Sequence, residues 1–544
     1  MICIPSLVSR FCSLKRFFVI FALKLTVLQM RNWLFIVFVF AFLCKAFAQH
    51  VEPARYEVER FSKDHDCRFE LFGKGGGIVA SQTDKADKDK NYLWNFAVVD
   101  TNLLEVRSDL IPLSHKMSLV GSASDERFAA FLFTNDKSKK ADTISFCVVC
   151  YDRNEMTYKS FGEKLPERTL ILSVDVMDGM LMMTVNNKDG NGFLLFFDLE
   201  SSSLRSVHPA LPEGFVLFQT MASAREHCFV VAAREYVDKR YKATSFLVYT
   251  RSGNLLHSYR YENMENANLG RLCFDFDAEH RLVVMGTLER ESNKKVKLEG
   301  ILEDFNKISI GVVWMKFGGT ANAKIYLFKD MPEIELALTA SDRVRVREER
   351  IRLGKKNNKE KKEIAFQFLP PRLVHYGDLS VFTAEAFVPE YHTETRMSHG
   401  FYNTYPYSYT VFDGYDFISE ILLAFDAEGN LKWQTSVRFA NELSFDLRSH
   451  SGEAVCHDEL VVASPYKNAL RYVVFDASGN PLLTQQTEHL EPLYGADYVE
   501  DEDFAEMANW YGSRFVIFGC QVLQNSSLPK PRRTSYFFQK VQYE

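Results

Sequence analysis

Long apolar runs are scarce in this chain. The most apolar stretch near its start, Trp33-Leu34-Phe35-Ile36-Val37-Phe38-Val39-Phe40-Ala41-Phe42-Leu43, is about 11 residues long, short of the roughly 20 that a spanning helix needs. Lys24, Arg31 and Lys45 interrupt its flanks, so an uncleaved membrane anchor is not expected. Cysteine is sparse too, 10 in 544 residues, and too scattered for the disulfide framework of a small secreted domain. Charge of one sign is also lacking. The 65 Lys and Arg against 71 Asp and Glu leave a net charge of −6, so nothing global draws the chain to nucleic acid or an anionic membrane. Catalytic signatures are missing: no GxSxG elbow, no HExxH pair and no phosphate-cradling loop. Gly73-Lys74-Gly75-Gly76-Gly77 lacks P-loop spacing and reads as a turn. No catalytic residue, cofactor or metal site is expected.

The start of the chain reads as a targeting segment. Met30-Arg31 opens a short basic region, the apolar run comes next, and Ala46-Phe47-Ala48 supplies the small residues a signal peptidase accepts. Residues 30–48 are therefore expected to be a cleaved signal, with Gln49 the first mature residue and 1–29 an extension upstream of the true start. Cleavage leaves Cys67, Cys147, Cys150, Cys228, Cys273, Cys456 and Cys520, an odd number. Cys147-Val148-Val149-Cys150 spells CxxC within an apolar strand. Positions i and i+3 point to opposite sheet faces, so the pair is not expected to grip a metal or close a redox loop.

Aromatic residues make up 14% of the chain, with 46 Phe and 24 Tyr, a composition suited to strands. One pattern recurs: an apolar strand ending in Asp (once Thr), a tight polar turn, then another strand. It appears as Phe96-Ala97-Val98-Val99-Asp100, then ending at Asp152, Asp198, Thr250, Asp426 and Asp476. The period is near 50 residues, about one four-stranded blade each. Ser252-Gly253-Asn254, Glu428-Gly429-Asn430 and Ser478-Gly479-Asn480 put Gly and Asn where positive φ is needed. The expected fold is an all-β propeller of seven or eight blades over 49–544. The segment from Arg55 to Phe61 would complete the last blade and close the ring.

Ala424-Phe425-Asp426-Ala427-Glu428-Gly429-Asn430-Leu431-Lys432-Trp433 resembles a repeat of quinoprotein-type propellers. His257 and Leu483 stand where Trp433 stands in its own repeat, so the resemblance covers one blade and brings no quinone. The whole chain resembles a group of exported proteins of Bacteroidetes-type bacteria without assigned activity. That resemblance implies a propeller and export.

Two segments depart from the repeat. Within an insertion at 339–365 lie Arg343, Arg345, Arg347, Arg350, Arg352, Lys355, Lys356, Lys359, Lys361 and Lys362. This run reads as a solvated helix or excursion, either an inter-blade linker or a contact for an anionic partner such as lipopolysaccharide phosphate or an acidic protein. An excursion at 389–417 holds Tyr391, Tyr402, Tyr405, Tyr407, Tyr409 and Tyr415, with Phe401, Phe412 and Phe417. It reads as a long hairpin within one blade. Its rings either pack on each other or recognise a sugar or protein. His392 and His399 have no firm metal spacing. Glu500-Asp501-Glu502-Asp503 reads as a solvated turn. The leading functional expectation is a non-catalytic binding or scaffolding propeller in the periplasm or at the surface of a Gram-negative cell, with an envelope protein or glycan as partner. The alternative is a propeller enzyme, a glycan hydrolase, lyase or lactonase type, whose carboxylates or histidines meet at the central channel.

Overall fold

The computed structural model of the 544-residue chain describes residues 49–50, 54–62, 65–135, 144–165, 169–187, 191–237, 240–263, 267–290, 308–318, 322–339, 366–399, 404–445 and 447–543. The repeat folds into antiparallel sheets, each a meander of neighbouring strands. In order they span 67–113, 118–165, 169–207, 215–262, 267–327, 367–444, 452–489 and 498–543. In the sixth, the first position is shared by two short pieces, Gln367–Phe368 and Arg372–Tyr376, which both pair with Leu379–His399. The first strands of neighbouring sheets touch one another in sequence order, which makes them the inner wall. The fourth strands, such as Glu105–Leu113 and Pro481–His489, are exposed along most of their length and form the rim. This is an eight-bladed β-propeller.

Burial explains the apolar runs. Second strands such as Phe128–Thr134 are buried at every position because neighbouring blades cover both faces, so the sequence is continuously apolar rather than alternating. One core cluster joins Phe128, Leu132, Phe146 and Val148 of blade 2 to Leu181, Met183, Leu195 and Phe197 of blade 3. Cys150 belongs to that cluster, whereas Cys147 packs against the cluster on the other face, shared with blade 1. The two cysteines therefore leave opposite faces, as the spacing predicts.

The recurrent Asp has a structural task. Asp476 Oδ1 accepts the backbone N–H groups of Ser478 and Asn480 at 2.8 Å, and Oδ2 accepts the Asn480 amide at 3.1 Å. Those bonds from Asn480 hold its carboxyl below the usual range. The turn glycine meets the preceding blade. Gly479 has φ +78°, and a Cβ there would fall 2.6 Å from the ring of Trp433, whose indole N–H donates to Ala477 O at 3.0 Å. Gly429 faces Trp314 in the same way, and Gly253 faces Phe196.

The ring closes between the chain's ends. Arg55–Glu59 pairs antiparallel with Arg532–Tyr543 as the fourth strand of blade 8. Arg55 is buried over the Phe537 ring, with its centroid at 4.4 Å. It donates to Gln521 Oε1 at 2.8 Å, Gln539 Oε1 at 3.0 Å and Glu57 at 2.8 Å. Blade 8 then packs on blade 1 through Val516, Phe518 and Phe538 against Cys67, Val79 and Val99. In a separate small unit, Gln49–His50 pairs with Gln542 and Tyr543. Helix α1, Pro332–Thr339, comes after blade 5 and buries Ile334 and Leu338 with Phe368 and Phe382 of blade 6. It ends where the charged insertion begins. Arg343, Arg345, Arg347, Lys355, Lys356, Lys361 and Lys362 lie outside the described residues. No described helix is long and apolar enough to cross a membrane.

Candidate functional site

The Tyr-rich excursion is a continuation of blade 6. Leu379–His399 and Thr404–Phe425 pair over their whole length, from Ser380 opposite Phe425 to His399 opposite Thr404. The rim strand Leu431–Ser444 stops at the pair Tyr415 and Ser444, and the inner piece stops at Phe387. Beyond these, 391–399 and 404–412 stand as a two-stranded ribbon that no third strand joins among the described residues. At its root Glu390 faces Gly414 and Tyr391 faces Phe412, which leaves Asp413 as the extra residue of a bulge. Such a bulge bends the strand and re-aims the ribbon beyond it. His392 Nδ1 lies 2.5 Å from Asp413 and Nε2 lies 3.5 Å from Glu394, and the bond to Asp413 raises the imidazole pKa.

Directly opposed residues share a face. One face carries His392, Glu394 and Arg396 opposite Val411, Tyr409 and Tyr407. Here the Tyr409 hydroxyl donates to Glu394, the Arg396 guanidinium stands 5.1 Å from the Tyr409 ring, and Tyr407 stacks on Tyr409 at 5.8 Å. On the other face Tyr391 packs against Phe412 at 5.3 Å, and Phe412 continues to Phe445 at 6.3 Å and Tyr415 at 4.9 Å. The tyrosines thus differ in exposure. Tyr391 and Tyr407 are each 48% exposed. Tyr409 is half-buried by its neighbours. Tyr415 sits at the root with Phe387 and the buried Phe417. Tyr405 lies on the ribbon, but its side chain, like the whole of Tyr402, is outside the described residues.

The acidic run corrects the sequence expectation. Glu500, Asp501, Glu502 and Asp503 lie on Tyr498–Asn509, the innermost strand of blade 8, and are not a turn. Two bulges, between Val499 and Asp501 and between Glu502 and Phe504, redirect them. Clefts of about 460 and 450 Å³ flank this strand and share Leu443, Ser444, Asp501, Glu502, Asp503 and Phe504. The first is completed by His450, Tyr466, Lys467 and Asn468. The second also takes in Arg60 and Arg68, Leu119 of blade 2, Phe445 and Arg448. Residues from blades 1, 2 and 8 therefore meet there, at one mouth of the channel. Glu500 pairs with Arg532 at 2.7 Å and Asp503 with Arg60 at 2.8 Å, while Glu502 accepts N–H bonds from Asn468 and Gln521. Asp501 has no cationic partner among the described residues and accepts only the N–H of Glu502, at 3.0 Å.

Behind this mouth, Arg372 joins blades 6 and 7. Its guanidinium reaches Glu453 at 2.6 Å, Glu385 at 2.9 Å and Glu420 at 3.1 Å, three carboxylates with no exposed side-chain surface. Ser449 and Ser451 donate to Glu385 at 2.6 and 2.9 Å. Three buried anions exceed one cation, and an uncompensated buried charge takes up a proton. Burial and the neighbouring Glu453 push the Glu420 carboxyl well above the usual range. Burial acts against ionisation of Glu453 too, but the Arg372 charge overcomes it and holds that carboxyl low. His450 packs against Phe417, with ring centroids 4.0 Å apart and planes tilted by 42°, and lies 3.9 Å from Glu385; burial keeps its pKa below the usual value. Sequence reasoning missed this cluster because Arg372, Glu420 and Glu453 are far apart along the chain and no motif links them.

No family model and no curated protein matches the chain. Solved structures of similar shape include one described in a study of two prolyl endopeptidases, at 10% identity and TM-score 0.37, covering 85% of this chain and 54% of that one. An acylaminoacyl peptidase of Pyrococcus horikoshii is similar at 7% identity and TM-score 0.32, covering 77% of this chain and 52% of that one. The chain thus spans about half the length of either peptidase. A eukaryotic initiation factor is similar at 12% identity and TM-score 0.33, covering 79% of this chain and 89% of that one. Likenesses this distant carry no argument about activity.

Proposed function

We propose that this protein is an exported propeller of a Gram-negative envelope that holds a protein partner on the ribbon of its sixth blade. The ribbon carries the reading. A two-stranded hairpin alone is marginal in water, and open edges are a liability that folds usually blunt. A ribbon that projects from a rigid scaffold with exposed Tyr391, Met397 and Tyr407 is suited to pairing with another chain through its backbone and its rings. A photo-crosslinking residue at position 407 should trap one defined envelope protein. The same residue at Leu255, exposed on the rim of blade 4, should trap none. Equal trapping at both positions, or none at 407, overturns the proposal. The second reading, an enzyme acting on a glycan or lactone, is favoured by the carboxylates gathered at the channel mouth beside His450. It requires turnover that His450→Gln abolishes without a change in melting.

A further inference from the structure

Arg271 occupies a position that the repeat gives to apolar side chains. The innermost strands of blades 2, 3 and 4 each carry one extra residue where their pairing with the second strand shifts: Val120, Leu172 and Phe218. Blade 5 shifts between Leu269 and Leu272, and the residue just before Leu272 is Arg271. Gln219, just after Phe218, accepts the Leu272 N–H at 2.9 Å, which sets the bulges of blades 4 and 5 side by side. The Arg271 N–H donates to Thr287 Oγ1 at 2.9 Å, so the bulge fixes where its side chain leaves the strand.

The half-buried Arg271 guanidinium has no hydrogen bond and no ion pair among the described residues. A second arginine stands behind it. Arg234 is 5% exposed, its Nη2 donates at 3.2 Å to Leu269 O and Gly270 O, the carbonyls just before Arg271, and its buried Nε has no hydrogen-bond partner. Glu289, packed against Gly270, is the acid whose charge acts on both arginines. Burial and the Arg234 charge lower the Arg271 pKa, and Glu289 opposes them only in part. An arginine does not shed its charge, so two guanidiniums sharing one carboxylate leave a positive charge on the inner wall to be matched. We infer that the inner wall between blades 4 and 5 binds a small oxyanion, the carboxylate or phosphate group of a solute in the channel, with Arg271 as its principal donor. The unused planar fork of Arg271 can give either group two parallel bonds. The site takes no residue from the ribbon and goes beyond the partner reading.

The test uses the whole mature protein, with inorganic phosphate and acetate as probes. Each is titrated calorimetrically at constant ionic strength made up with sodium chloride. One saturable site should appear, and the tighter of the two probes names the group. Arg271→Gln should weaken that binding about tenfold, and Arg271→Lys, which keeps the charge and loses the fork, should fall between. In chloride alone Arg271→Gln should melt no lower than the parent, because it relieves the repulsion from Arg234. A clear drop would make Arg271 a packing residue and overturn the site. Labelling with phenylglyoxal keeps the inference testable if the variant folds poorly. Saturating phosphate or acetate should protect Arg271, read by peptide mass mapping, and leave the exposed Arg251 as reactive as before. No saturable site for either probe, binding that survives Arg271→Gln, or equal protection of Arg251 overturns the inference. Crosslinking at position 407 draws on none of these residues, so the two readings stand or fall separately.

Discussion

At the scale of single residues, the repeat is kept by contacts that a side chain on glycine would spoil. Gly479→Ala forces a Cβ into the Trp433 ring at a backbone angle that L-residues rarely adopt. It should cost about 1–3 kcal/mol, read as a lowered urea midpoint at constant slope. Ser478→Ala, on the exposed side of the same turn, should be near neutral. The buried acid cluster makes a second prediction, with a definite sign. Glu420 binds its proton more tightly in the folded chain than in the unfolded one. Its contribution is complete below the ordinary glutamate pKa, about 4.3, and is lost as pH rises toward the raised value. Glu453 acts in the opposite sense and is lost as pH falls. Glu420→Gln should therefore flatten the alkaline limb of melting temperature against pH and leave the acid limb in place. An unchanged alkaline limb would show that Glu420 is ionised in the native state.

At the scale of elements, the blade strands were readable because their apolar runs and Asp-Gly turns repeat. The excursion was readable as a hairpin, since it lies between two strands of one blade. What rings such as Tyr407 and Tyr415 do was not readable. The same residue type is exposed on the ribbon and packed at its root, and only the bulge at Asp413 and the end of the rim strand at Ser444 separate the two settings. The acidic run misled for a related reason. Consecutive charges suggest a solvated turn, but the innermost strand of a propeller borders an open channel and can carry them. Ribbon and root therefore give different expectations. Tyr407→Ser with Tyr409→Ser should leave the melt within a degree or two and abolish capture of the partner in a pull-down. Phe417→Ala, at the buried root, should cost about 3–5 kcal/mol. A large loss of stability from the Tyr pair would return the ribbon to packing alone.

At the scale of the whole molecule, the reading as an exported protein predicts a mature chain that begins at Gln49 in the envelope fraction. Protein sequencing that finds residues upstream of Met30 on cytoplasmic material would refute it. Export would also give the closure of the ring a kinetic meaning. The strand at Arg55–Glu59 is among the first parts of the fold to be made, yet its partner, Arg532–Tyr543, is the last. Blades 1 to 7 are local and can collapse as they emerge, but the eighth waits for Arg532–Tyr543. Until then both terminal edges are open to whatever strand is nearest, including another copy of the chain. A ribosome that stalls in blade 8 would release a seven-bladed arc with an unlatched end, a natural target for proteases and for domain exchange. Arg55, clasping Gln521 and Gln539, is the latch that holds the ring shut.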